Sequence, residues 1–232
     1  MTAILVILTI ILFIAIDYLV YRKRGTALLQ VARKTVETES PNNFIPIPIT
    51  DEDMLIPRGV FLHPNHTWAH ILQSGKVKVG VDSFISKIVG TIDRVSLPAI
   101  GSEVKKGEPI FSFNSKGRVL NFASPINGNI VSINDELAKN PTLLTDPYKS
   151  GWSVVIEPKN LSLDIPKLKI SEDAKNFIKN ELKRFKEFLI GVANGNTLGL
   201  QTLQDGGLPA ANVLSLLDSE KWKLFQKEFL NS

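Results

Sequence analysis

Residues 111–128 read FSFNSKGRVLNFASPING. Apolar and polar residues alternate on both sides of Lys116-Gly117, which is the pattern of two half-buried strands joined at a polar tip. Gly117 permits a left-handed turn there, and Pro125 ends the returning arm. The same texture extends outward. KVKVGV at 76–81 alternates, and DSFISKIVG at 82–90 reads as a short helix capped by Asp82 and stopped by Gly90. VKKGEPI at 104–110 offers Gly107 as a turn before the climb to Lys116. From Arg58 to Pro158 the chain is therefore read as short strands broken by glycine and proline. Gly90, Ile92 and Val95 recur 38 residues later as Gly128, Ile130 and Ile133, which suggests two similar half-barrels.

On either side of this region the composition changes. Residues 3–21, AILVILTIILFIAIDYLVY, are apolar except for Thr9, Asp17 and the tyrosines. As a helix they reach roughly 28 Å, close to the thickness of a bilayer's hydrocarbon layer. The sequence has neither a basic start nor a small-residue cleavage motif, so a single membrane anchor is expected over 1–24. The following Arg22-Lys23-Arg24 places the rest of the chain on the cytoplasmic side. Asp17 lies within a turn of that flank, where it can reach the interface, pair with Arg22, or meet a polar group on a partner's helix. Residues 25–57 read as a tether. Pro41, Pro46, Pro48 and Pro57 block helix, and FIPIPI at 44–49 is apolar enough to pack on a neighbouring surface.

Beyond residue 160 helices return. Ala174, Phe177, Ile178, Leu182, Phe185, Leu189 and Val192 form one stripe of a helix over 170–193, which Ser171 can cap. A second helix from Asp218 or Ser219 aligns Trp222, Phe225 and Phe229. These faces can pack on the barrel, and they can also dock onto a partner subunit. The net charge of +4 is mild and its lysines are spread out, so nucleic acid is not an expected partner. With no cysteine, disulfides, thiolate metal sites and cysteine nucleophiles are excluded together. His63, His66 and His70 are close enough in sequence to hold zinc, but Pro64 and an extended strand would scatter them, and no metal site is expected. No phosphate-binding loop, nucleophile elbow or metal-helix motif occurs, and the chain is not expected to be an enzyme.

Several spaced motifs together resemble the H protein of the glycine cleavage system, a member of the biotinyl/lipoyl carrier superfamily. They are HTW at 66–68, VKVGVDSF at 77–84, LPAIGSEVKKGEPIF at 97–111, SPINGNIVSIN at 124–134 and DPYKSGWSVVIEP at 146–158. The resemblance covers about 58–160 and implies a mainly β barrel-sandwich hybrid with one small helix before the hairpin and another after it. It also implies that Trp68 and Trp152 are core residues. To this fold the chain adds the N-terminal transmembrane helix and a helical extension over 161–232.

The same resemblance puts the modified lysine eight residues before the proline of the returning strand and ten after the turn glycine. Counted from Pro125 and from Gly107, that position is 117, occupied by glycine. Lys116 is its neighbour. Asn114 stands where the family has glutamate, and Arg118 where it has a small neutral residue. A one-residue shift turns a strand side chain to the other face, although Gly117 could re-aim Lys116. Lys-Gly is also ordinary turn chemistry with the amine in water. The expectation is a non-enzymatic scaffold subunit without a cofactor, anchored to the membrane and docked on a membrane complex. The alternative is a carrier lipoylated on Lys116, shuttling reducing equivalents or an aminomethyl group.

Overall fold

Short antiparallel strands dominate the computed structural model, which describes residues 47–192 and 209–230 within a unit running from Pro46 to Ser232. The strands are β1 (Val60–Leu62), β2 (Thr67–Ile71), β3 (Val77–Val81), β4 (Arg94–Ser96), β5 (Glu103–Val104), β6 (Pro109–Ser115), β7 (Arg118–Ala123), β8 (Gly128–Ile133), β9 (Trp152–Pro158) and β10 (Lys169–Ile170). One sheet has the order β10-β1-β2-β3-β9-β8-β5, and the smaller one β4-β6-β7. Alternation puts Val77, Val79, Val154 and Ile156 inward from the large sheet, and Phe113, Leu120 and Phe122 inward from the small one, all buried. The hydroxyl of Thr67 donates to the carbonyl of Ala123 at 3.0 Å, which ties β2 to the root of the hairpin.

The two small helices fall where the sequence places them. α1 (Ser83–Ile88) starts at Asp82, whose carboxylate accepts from the Ile85 amide at 3.1 Å. α2 (Asp135–Lys139) follows β8 and is capped by Asn134. After α3 (Leu161–Asp164) comes α4 (Ser171–Val192), a helix of 22 residues that packs against β1 and β10. α5 (Ser219–Phe225) is capped by Asp218 and continues as a π-turn, Gln226–Leu230. Ser171 opens α4 with a left-handed backbone, φ 53°, and does not act as the cap expected of it.

The aromatic faces of α4 and α5 are satisfied inside the chain. Phe185 meets the edge of Phe84 at 5.4 Å and of Phe225 at 5.8 Å, and Phe225 stacks on Phe229 at 4.9 Å. Each such pair contributes about 0.5–1.5 kcal/mol beyond area burial. Trp222, Phe225, Phe229 and Phe185 are all buried, so these rings do not call for a partner subunit. Of the apolar tether, Ile49 is buried and Ile47 exposed. The Ile49 amide donates to Pro209 O at 2.8 Å and the Ala211 amide to Ile47 O at 2.8 Å, so residues 47–49 and 209–211 hold each other.

Some expectations change. Trp68 is core, but Trp152 is only half-buried, with the Lys78 ammonium 5.3 Å from its ring. The two copies of the near-repeat differ at their glycines. Gly90 ends α1 with φ 79°, whereas Gly128 opens β8 in the other sheet, where a Cβ would sit 2.3 Å from Glu157 O. The expected anchor, with Asp17, and the tether up to residue 46 lie outside the described residues. Among the described residues, no helix is long and apolar enough to cross a membrane.

Candidate functional site: the β6–β7 hairpin

Ser115 pairs with Arg118, leaving Lys116 and Gly117 as the two central residues of the turn. Both are left-handed, with φ 52° and 78°, the geometry of a type I′ hairpin. Glycine adopts it freely, whereas lysine is strained there by about 1 kcal/mol or more. Hydrogen bonds hold the strained residue in place. Asp93 Oδ2 accepts from the Lys116 amide at 2.5 Å, and Asn114 Oδ1 accepts from the Gly117 amide at 3.0 Å. The Asp93 amide in turn donates to Asn114 O at 2.8 Å. Lys116 itself is exposed, and among the described residues its ammonium has no ion pair or hydrogen bond. The shift by one residue therefore keeps the amine inside the turn, not on a strand face.

The next residue is tied down. The Arg118 guanidinium donates from Nη1 to the Leu217 carbonyl and from Nη2 to the Ser215 carbonyl at 3.2 Å. It lies 4.4 Å from the Trp222 ring centroid, in cation–π range. The Trp222 indole donates to Val119 O at 3.4 Å. In the sequence Arg118 reads only as a charge at a small-residue position, because its partners lie about a hundred residues away.

The three histidines do not converge, and among the described residues no group of three His, Cys, Asp or Glu side chains could hold a metal. His70 bonds to Gly59 O at 3.1 Å. Burial pushes the His63 imidazole down to about 4, helped by Lys106 and His66, so it stays neutral. His66 is different. It sits fully buried in a left-handed turn, φ 59°, stacked 4.5 Å from the Phe84 ring. Its Nδ1 donates to Asp82 Oδ2 at 2.8 Å, and its Nε2 faces Glu181 Oε2 at 3.4 Å, an ionic contact without hydrogen-bond geometry. Burial pushes this imidazole down, but the carboxylates of Asp82 and Glu181 outweigh it and raise it to about 9. Burial likewise pushes Glu181 up, and His66 with Arg184 overcomes it, holding the carboxyl below its usual range. Arg184 grips Glu181 at 2.7 and 3.0 Å and covers the Phe229 ring at 4.3 Å. Asp82 thus caps α1 through one oxygen and takes the charge of His66 on the other.

Residues 61–181 match the sequence model of a family described as glycine cleavage H-protein. The glycine cleavage system H protein of Coprothermobacter proteolyticus is 35% identical over 126 residues, which covers 54% of this chain and 98% of that protein. The probable glycine cleavage system H protein of Pyrococcus abyssi is 33% identical over 126 residues, covering 54% of this chain and 93% of that one. A crystal structure of the H protein from Mycobacterium marinum superposes with a TM-score of 0.48 at 27% identity, over 55% of this chain and all of that one.

The buried charge gives the domain a pH signature. A histidine raised from 6.5 to about 9 contributes stability that is fully present below 6.5 and is lost as pH rises through 9. Urea denaturation should show falling stability over that window. His66→Asn, which tolerates the left-handed backbone, should be less stable at pH 6.5 and flat across the window. Glu181→Gln leaves the imidazolium to Asp82 alone and should lower stability at pH 7, by less than the roughly 3–5 kcal/mol lost when a buried charge keeps no partner.

Proposed function

The chain belongs to the glycine cleavage H-protein family, and on that premise we propose that it is a carrier subunit, not an enzyme, whose Lys116 takes a lipoyl group in amide linkage. The observation that carries this is the place of Lys116: first central residue of the turn, exposed, with an ammonium unpaired among the described residues. An amine there can enter a modifying enzyme's site and then swing between partner sites. Once attached, a lipoyl group supplies a reversible dithiol–disulfide couple for reducing equivalents or an aminomethyl group. The chain's own residues present it: Asp93 and Asn114 fix the turn, and the phenylalanines beneath keep the hairpin rigid.

This reverses the expectation drawn from the family register, and the reason is geometric. Position 117 and position 116 share one two-residue turn, so the shift re-aims the amine without burying it. A scaffold role without modification is the second reading. Gly117 at the family's lysine position and Arg118 drawn into contacts with the C-terminal segment favour it. Both readings include a membrane anchor over residues 3–21 with the domain on the cytoplasmic side, supported by the length of that apolar run and the basic residues after it, and both leave room for docking onto a membrane complex.

Intact-mass measurement of the chain from its native membrane should show one lipoyl addition, mapped to Lys116 and absent from Lys116→Arg. An unmodified mass would leave the scaffold. The double exchange Lys116→Gly with Gly117→Lys moves the amine to the family register and should be modified at least as well.

For the anchor, deleting residues 1–24 should move the protein from the membrane fraction to the soluble fraction. A truncated chain that stays with membranes would contradict anchoring by that segment.

A further inference from the structure

The family match ends at residue 181, and Gln226–Leu230, beyond it, lie against β7, the returning strand of the hairpin. β7 is the edge strand of the small sheet. Ser115 and Arg118 close the turn as a hydrogen-bonded pair, so Asn114 and Val119 form the next, non-hydrogen-bonded pair. The amide and carbonyl of Val119 therefore point away from β6. An edge of this kind is a ready template for pairing with another chain. Here Trp222 takes the Val119 carbonyl and its ring lies under Arg118, while Arg118 forks onto the carbonyls of Ser215 and Leu217. Asn212 and Ser215 sit against Gly90, and the Asn212 amide donates to Lys87 O at 2.8 Å. Residues 209–211, at the start of the same segment, are paired with residues 47–49. A continuous strap thus runs from the tether's end across α1 to the flank of the tip.

We propose that Trp222 and the carbonyls of Ser215 and Leu217 act as a built-in competitor of the enzyme that acylates Lys116, holding Arg118 and the Val119 edge of β7 and slowing modification until Arg118 is released. The inference rests on the carrier reading of Lys116. Acyl transfer from an acyl-adenylate makes an amide bond from Nζ to the acyl carbon as the carbon–oxygen bond to AMP breaks, and the nitrogen's proton goes to solvent. The transferring enzyme must therefore bring that carbonyl within bonding distance of a turn whose neighbour, Arg118, is held by the strap. Arg118 and Trp222 act on the tip's accessibility and not on the chemistry, so both are positioning residues.

The test uses the full chain in mild detergent with lipoate, ATP and a lipoate–protein ligase. Trp222→Ala removes the ring under Arg118 and the bond to Val119, and the rate of Lys116 acylation should rise about tenfold, the factor that 1.4 kcal/mol of lost contact corresponds to. Trp222→Phe keeps a ring for the guanidinium and should stay near wild type. Should Trp222→Ala fail to fold, Arg118→Lys carries the same test, since a lysine cannot fork between two carbonyls. Equal acylation rates in wild type and variant would overturn the competitor while leaving the carrier reading standing. No acylation in either would overturn the carrier reading, and the inference with it.

Discussion

A positive charge buried between two carboxylates holds this structure together. His66 lies in the loop between β1 and β2, Asp82 starts α1, and Glu181 comes from α4, so a single imidazolium joins three elements distant in sequence. Taking those charges out of water is expensive, and it is tolerable only because each finds another: Asp82 with His66, His66 with Glu181, Glu181 with Arg184. Phe84, stacked on the imidazole, and Phe177, tilted against it at 5.4 Å, flank the charge. Arg184 also covers Phe229, which carries the network to the last helical turns. The extension is thereby part of the fold and not an appendage.

That attachment governs what surrounds the hairpin. With α4 fixed by Glu181 and the aromatic cluster, α5 packs over Phe185 and brings Trp222 under Arg118. The tip then has two unlike sides. Toward β4, Asp93 and Asn114 hold the backbone through hydrogen bonds. Toward the outer edge, the C-terminal segment covers the strand. Lys116 is exposed, and among the described residues its ammonium is held by neither side.

Local features were legible in the sequence because their causes are local. Alternation gave the hairpin, Asp82 gave a cap, Asp218 or Ser219 gave the start of α5, and the stripe of Ala174, Ile178, Leu182, Phe185 and Leu189 gave the buried face of α4, with its other two members, Phe177 and Val192, half-buried. What escaped was non-local. Glu181 reads as one more charge on a solvated face, yet it is buried because His66, more than a hundred residues earlier, lies beneath it. In the sequence His66 reads as a possible metal ligand and as part of a motif, while its charge depends on two partners that no periodicity brings together. Trp152 matched a core position but stayed half-buried, with Lys78 over its ring. On a strand the one-residue shift of Lys116 would change its face, but both positions lie in a two-residue turn, where side chains do not alternate between faces.

Nitrogen-15 NMR of the imidazole rings tests the buried charge most directly. At pH 7.5 both nitrogens of His66 should carry protons, and the imidazolium pattern should persist until the pH approaches 9, with Glu181→Gln bringing the transition down. A His66 that titrates near 6.5, or is neutral at pH 7.5, would contradict a charged joint between the family fold and its extension.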